Sequence, residues 1–459
     1  MTLRPTTRTC AQLCISFLLI SSVISCKKDD GPAGGGTDPT PVVPLSSVTV
    51  NTNGATIVDE PKVNGEITVV DVDGVEQYSG RIGIEIRGAS SQLLYDKKQY
   101  GFETRDADNM DVDVAFLSFP EEEDWILYAP YGDKSLIRNH LIYNLARDMG
   151  HYASRSELVE FNLNDSYDGL YVFMEKLKRD KNRIDINKLK DDEISGEDLT
   201  GGYIIKVDKI NGGDYNPQNS FVSNFSPTES TAGQTIKFLY DYPDADEIVP
   251  EQKEYIATYM ADFEMSLSSA GFADPDTGYA SYIDVDSFID FFILNEFSNN
   301  VDGYRLSTFL HKDKNEKLKA GPIWDFNLAF GNADYCDGGE SNVWAYKFNE
   351  RCPDDFWQVP FWWGRFLEDP AFVDKLKLRW NELRGGTLSN DYVQGKIAEY
   401  VAQIEAADAA RKNFDRWPVL GIYVWPNNFV GDTYASEVNY LKSFIENRLT
   451  WLDSEITAL

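Results

Sequence analysis

Two aspartates have the surroundings to do chemistry together. Asp302 lies in Ile293-Leu-Asn-Glu-Phe-Ser-Asn-Asn-Val-Asp-Gly-Tyr-Arg305, and Asp325 in Gly321-Pro-Ile-Trp-Asp-Phe-Asn-Leu-Ala-Phe-Gly331. They are 23 residues apart, and the stretch between them reads as a short hairpin, Leu306–His311 with Lys317–Ile323. Such a hairpin returns both carboxylates to one end. Phosphoryl transfer needs this arrangement: one carboxylate orients the acceptor hydroxyl and takes its proton, and another holds Mg²⁺ against the phosphates. Two loop aspartates that merely cap helices or turns give the same pattern. Spacing alone leaves both readings open. Other machinery is missing from the sequence: the three histidines (His140, His151, His311) lack zinc-ligand spacing, and there is no G-x-S-x-G elbow, Rossmann glycine pattern or Walker A lysine.

The elements that must position these acids change character along the chain. From about Leu45 the pattern is β-rich: Ile67–Val72 and Gly80–Arg87 alternate as strands on either side of the turn signal Asp73-Gly74, and Gln99–Thr104 and Asp124–Ala129 read as further strands. Ser135–Met149 reads as a helix, capped by Ser135, striped by Leu136, Ile137, Leu141, Ile142 and Leu145, and stopped by Gly150. Strands at Glu157–Leu163 and Leu170–Met174 follow, then a Gly-, Asp- and Asn-rich loop region, 191–224, around a strand at Gly202–Val207. Beyond Pro250 helical periodicity dominates, with Gln252–Leu267 and Ser287–Phe297 the clearest helices. The expected fold is α+β and bilobal: a β-rich N-terminal lobe over about 46–190, a helical C-terminal lobe over about 250–459, and a cleft where they meet.

Composition narrows the partners. With 43 Lys+Arg against 75 Asp+Glu the formal net charge is −32, which repels nucleic acid and anionic lipid. Residues 1–25 read as a secretory signal with Arg4 and Arg8 in its basic region. Val23-Ile-Ser-Cys26 resembles a lipobox, so Cys26 is the expected lipidated residue, followed by a Gly/Pro-rich tether over 26–45. Lys27-Lys-Asp-Asp30 is similar to the export signal of Bacteroidetes surface lipoproteins. The expected location is lipid-anchored at the outer membrane, on the cell surface, with the periplasmic face as the alternative; the anchor is the one expected membrane contact. Cys336 and Cys352 remain as an even pair that could close a disulfide. Two free buried thiols is the other reading.

Several stretches in register resemble the spore coat protein H (CotH) kinase-like family. They are Ile86-Arg-Gly-Ala-Ser-Ser91 with Lys97-Lys-Gln-Tyr100, Asp133-Lys-Ser-Leu-Ile-Arg-Asn139, Gly169-Leu-Tyr-Val-Phe-Met-Glu-Lys176 with Lys181-Asn-Arg183, and the two segments around Asp302 and Asp325. The likeness runs over roughly Arg81–Gly331 and continues through the helical tail. It implies an atypical protein-kinase-like fold that transfers phosphate from ATP to protein Ser/Thr with Mg²⁺ or Mn²⁺. On this chain it implies Asp302 as catalytic aspartate, and Asp325 with Asn327 at the metal. Arg87 and Ser91 would cover the phosphates, Lys98 or Arg138 would supply the phosphate-pairing cation, and the strand ending at Glu175 would lead to a nucleotide-binding hinge. The chain departs from the family at Asn327, where the second acid of the W-D-x-D turn is expected, and at Ser307, where a kinase-like site often has Asn. Each change removes an oxygen donor's charge or reach. Two other readings follow: a catalytically inactive kinase-like binding or scaffold protein, to which a Trp-rich C-terminal half would lend aromatic platforms, and transfer of a nucleotidyl or amino-acid group. The acceptor protein or surface partner is not readable from the sequence.

Overall fold

Alternation builds the first sheet. The computed structural model describes residues 45–210, 214–231 and 233–459; the signal segment, Cys26 and the tether up to residue 44 lie outside them. In β1 (Ser46–Asn51) and β2 (Val63–Val70) every second residue from Val48 to Val50 and from Ile67 to Val69 is fully buried. There follow β3 (Glu76–Arg87), α1 (Ser90–Leu94), β4 (Gln99–Arg105), β5 (Asp124–Tyr128), α2 (Arg138–Asp148), β6 (Ser156–Leu163) and β7 (Ser166–Glu175). The strands close a barrel in the order β1-β2-β3-β4-β5-β7-β6, and the closing pair, β1 with β6, is parallel. Aromatic side chains fill its interior: Phe102, Phe116, Phe119 and Trp125 pack around Phe173, with Trp125 stacked on Phe173 at 5.4 Å.

β7 joins two cores. Tyr171 and Phe173 point into the barrel, whereas Leu170, Val172 and Met174 point outward into a larger core with Leu141, Ile142 and Leu145 of α2. Both faces of the strand are covered, so its sequence is a continuous apolar run. α2 starts three residues later than the sequence predicts. Ser135 does not cap it: Leu136 has left-handed backbone (φ 68°), and the Asp133 carboxylate takes the N–H groups of Ser135 (3.1 Å) and Arg138 (2.8 Å) instead.

The second half carries a five-stranded antiparallel sheet, β12-β11-β8-β10-β9, made from β8 (Tyr203–Val207), β9 (Ser220–Val222), β10 (Lys237–Tyr242), β11 (Thr308–Lys312) and β12 (Lys319–Ala320). β9 and β10 are not among the strands predicted from spacing. Helices α3 (Pro250–Ser268), α4 (Val285–Ser298), α5 (Phe348–Arg351), α6 (Trp362–Phe366), α7 (Pro370–Arg384), α8 (Asn390–Ala406), α9 (Ala409–Arg416) and α10 (Tyr434–Ala458) complete it. The fold is therefore mixed α+β, β-rich first and mainly helical later. α4 is buried on all sides from Ser287 to Ser298, its apolar residues in the core and its acids Asp290 and Glu296 paired with Arg379 and Arg448. Asp284 caps its start through the Ser287 N–H (3.0 Å), and Asn299 ends it in left-handed conformation. Among the described residues no helix is long and apolar enough to cross a membrane.

Candidate active site

A cleft of about 530 Å³ lies between the rim of the barrel and the second sheet. The barrel contributes Arg87 at the end of β3, the turn to Ser91, and Met174, Lys176 and Leu177 at the end of β7. The second half contributes Lys206, Asp208 and Lys209 from the end of β8, the segment Asp302–Ser307 after α4, and Trp324–Leu328 after β12. Asp302 and Asp325 thus face one space.

Asp302 sits at the tip of the loop that follows α4. Its Oδ1 accepts from Arg305 Nη2 (2.8 Å) and from the Tyr335 hydroxyl (3.1 Å). No described residue bonds Oδ2, and the side chain keeps 18% of its exposure, which leaves one oxygen free for a substrate proton. Arg305 is buried, lies 3.9 Å over the Phe348 ring and also donates to the Val301 carbonyl (2.8 Å). It is a fixed donor.

Asp325 is set by α2. Its N–H donates to the Tyr143 hydroxyl (3.0 Å), and the next N–H, of Phe326, donates to Asn139 Oδ1 (2.8 Å). Asn139 and Tyr143 are four residues apart, so they stand on one face of the helix. The backbone of Asp325 is left-handed (φ 62°), a conformation that for a non-glycine residue persists where the surroundings impose it. Burial, and then the charge of Asp302, push its carboxyl up to about 6; Lys209 and Arg87 pull against them and Asp208 adds to the push. A carboxyl pushed up by burial and by neighbouring acids sits among hard oxygen donors with surplus negative charge, which suits a divalent cation. Arg87 and Lys209 on the other side suit phosphate. The donor set fits a metal–nucleotide ligand.

The structure sorts the residues proposed from sequence. Arg87 lines the cleft with its guanidinium 5.7 Å over Trp324, next to Asp325. Ser91 lines it too, its Oγ accepting from Gln99 Nε2 (2.7 Å), as do Asn327 and Ser307. Three others do not belong there. Lys98 Nζ is tied to the carbonyls of Gln92 (2.8 Å) and Tyr95 (2.5 Å), satisfied by the end of α1 rather than presented to a ligand. Arg138 is fully buried, paired with Asp133 (2.5 Å) and donating to the Ala329 carbonyl (3.1 Å), so it braces the chain beyond Asp325 from behind. Glu175 is buried and bound by Arg155 (2.7 Å) and the Tyr152 hydroxyl (3.2 Å); its neighbours Met174, Lys176 and Leu177 meet the cleft instead. Cys336 and Cys352 form a disulfide with Cα atoms 5.8 Å apart. Trp362 and Trp363 are core, whereas Trp324, Trp357 and Trp425 line the cleft.

Asp208, Lys206 and Lys209 were missed. The signal was available: charges at the end of an apolar strand, Tyr203–Val207, point to a strand end that opens on a site. Burial pushes the Asp208 carboxyl up, and Lys206 and the Ser307 backbone N–H pull it back. Lys209 Nζ reaches Ser90 Oγ (3.1 Å), spanning from the second half to the barrel turn. Arg305 and Tyr335 were also unassigned. Elsewhere, Asp113, Glu122 and Glu123 form a tight acid cluster, but Lys178 already supplies its cation to Glu122 (2.9 Å) and Glu123 (2.6 Å). A smaller cavity of about 240 Å³ beside His151 is lined by Asp185 and by Asp290, which is paired with Arg379 (2.8 Å).

In comparison with known proteins, the family model described as CotH kinase protein matches residues 84–452, which span the cleft and every residue assigned to it here. No curated protein matches the chain.

Proposed function

Because the chain belongs to the CotH kinase protein family, we propose that it has a protein-kinase-like fold and transfers the γ-phosphate of ATP to a Ser or Thr hydroxyl of a protein acceptor. The observation that supports this best is the pair of unlike carboxylates. Asp302 has one oxygen held by Arg305 and Tyr335 and one free; Asp325 is half-buried and crowded by other acids. In this reading Asp302 Oδ2 accepts the proton of the attacking hydroxyl, while the fixed Oδ1 keeps the carboxylate aimed. Arg87 and Lys209 hold the phosphates, and Met174 and Leu177 offer an apolar wall to the base. Asp325, with Asn327 and Asp208 beside it, would hold Mg²⁺ or Mn²⁺. Such an ion neutralises phosphate charge when bound.

The departures at Asn327 and Ser307 bear on the rival reading, an inactive binding module. Asp208 weighs against it: it brings a third carboxylate to the cleft from another strand, next to Ser307, and so offsets the missing acid. The lipid-anchored outer-membrane location expected from Cys26 is part of the proposal, and a disulfide at 336–352 agrees with an oxidising compartment.

A thermal-shift titration with ATP and Mg²⁺ or Mn²⁺ tests the site. At 100-fold its Kd a ligand stabilises by about 2.7 kcal/mol. The shift should require the metal and vanish in Asp325→Ala, and wild type should label acceptor proteins from γ-labelled ATP. Absence of both shift and labelling would instead favour the binding module.

A further inference from the structure

The two donors that hold Asp302 Oδ1 trace back to the two halves of one disulfide. Tyr335, whose hydroxyl donates to Oδ1 at 3.1 Å, is the residue before Cys336. Arg305, the other donor, is itself held by Asp355 Oδ1 (3.2 Å) and the Trp357 carbonyl (3.3 Å), which follow Cys352 in the chain. The loop between is anchored to the same catalytic segment: Asn299 Nδ2, three residues before Asp302, donates to the carbonyls of Asp337 (3.1 Å) and Glu340 (2.9 Å). Arg351 Nε closes the ring by donating to the Cys336 carbonyl (3.1 Å).

The loop needs this restraint. Cys336 and Asp337 both have left-handed backbone (φ 48° and 58°), which residues with a Cβ leave when nothing holds them. Tyr335 is also stacked on Trp425, ring to ring at 6.1 Å and nearly parallel, so the ring has a wall on its outer side and the carboxylate at its tip. Burial, and then the nearby charge of Asp302, raise the Tyr335 phenol and keep it a donor.

We propose that Tyr335 is a positioning residue for Asp302, and that the Cys336–Cys352 disulfide keeps it in place, so that reduction of this bond slows transfer without emptying the nucleotide site. This rests on the reading of Asp302 as the base. The cross-link closes a 16-residue separation on the rim of the cleft and touches none of the nucleotide-side residues Arg87, Lys209 or Asp325. Its loss therefore acts on the acceptor side.

The test compares the full chain with Tyr335→Phe, with Cys336→Ser/Cys352→Ser, and with all three changes. Tyr335→Phe removes one hydrogen bond to a carboxylate and should lower kcat about tenfold, with the KM for ATP unchanged. The serine pair should lower kcat in the same way, and the triple variant should be no slower than the slower of the two, because both changes break one linkage. Additive losses, a loss confined to KM, or an unchanged kcat in Tyr335→Phe overturns the proposal. A readout that needs no turnover separates it from the kinase reading: 3-fluorotyrosine at position 335, followed by ¹⁹F NMR. Its resonance should move on Asp302→Asn and on reduction with a phosphine. If wild type transfers no phosphate while the resonance moves in both experiments, the kinase reading fails and the linkage stands. A resonance indifferent to either change overturns the linkage.

Discussion

Glu296, in the last turns of α4, and Asp302, at the tip of the loop after it, are six residues apart and both face an arginine. Glu296 is 1% exposed, and both its oxygens are fully engaged: Arg448 (3.2 Å) and the Ala345 N–H (2.8 Å) on one, the Tyr304 hydroxyl (3.0 Å) and the Tyr346 N–H (2.9 Å) on the other. Asp302 keeps an oxygen unbonded by any described residue and open to the cleft. A carboxylate paired with a guanidinium thus does two jobs. Where every lone pair is used and water is excluded, the pair fixes three segments of chain together; where one oxygen is left free at a cavity, it can take a proton.

The contrast can be broken at either end. Glu296→Ala leaves the fully buried Arg448 without its carboxylate and should cost about 3–5 kcal/mol, read as a large fall in Tm. Asp302→Asn should leave Tm within a degree or two, yet lower phosphate transfer about 10²- to 10⁴-fold, the range of a general base. A stable, active Glu296→Ala, or an Asp302→Asn that unfolds, contradicts the assignment of roles. A third carboxylate sharpens the comparison. Glu264 is 1% exposed and bonded by Ser223 (2.7 Å) and Trp362 Nε1 (2.9 Å), but no described residue forms an ion pair with it. Burial pushes it up to about 7. A carboxyl whose folded pKa lies above its unfolded value binds more protons folded than unfolded, so its ionisation lowers stability as pH rises from about 4.5 to about 7. Glu264→Gln should therefore gain up to about 3 kcal/mol on wild type at pH 8 and nothing below pH 4, in denaturant melts across that range. The smallest effect belongs to Lys98→Met: transfer and nucleotide affinity should stay within about twofold, since its ammonium serves only the end of α1.

The acids were legible in the sequence because each closes an apolar element and is flanked by turn formers: Asn299-Asn300 before Asp302, Gly321-Pro322 before Asp325. Alternation likewise announced β2 and β3, and apolar or aromatic runs bounded by turns announced β4 to β7. What stayed hidden depends on facing. Lys97 and Lys98 precede β4 together, and only three-dimensional structure shows Lys97 buried against the Leu170 carbonyl (2.5 Å) and Lys98 folded back, so that Arg87 rather than Lys98 is the barrel cation beside Asp325. Helix α2 supplies support rather than ligands, because Arg138, Asn139 and Tyr143 all point to the backbone beyond the second acid or to the acid's own turn. Tyr335 lies 33 residues beyond Asp302, and no local pattern ties a tyrosine to a loop so far behind it. Asp208 was masked by the Gly- and Asp-rich stretch around it.

The barrel has one more consequence, for how another polypeptide could attach. A sheet closed on itself, with β1 beside β6, offers no row of unpaired N–H and C=O groups, so no incoming strand can extend it. The second sheet does have ends, but they are β9, three residues long, and β12, two. Edges that short give little purchase for strand addition. On the proposed kinase reading, an acceptor is recognised by side chains and loops around the cleft rather than by strand pairing, and an unfolded chain nearby finds little to template on.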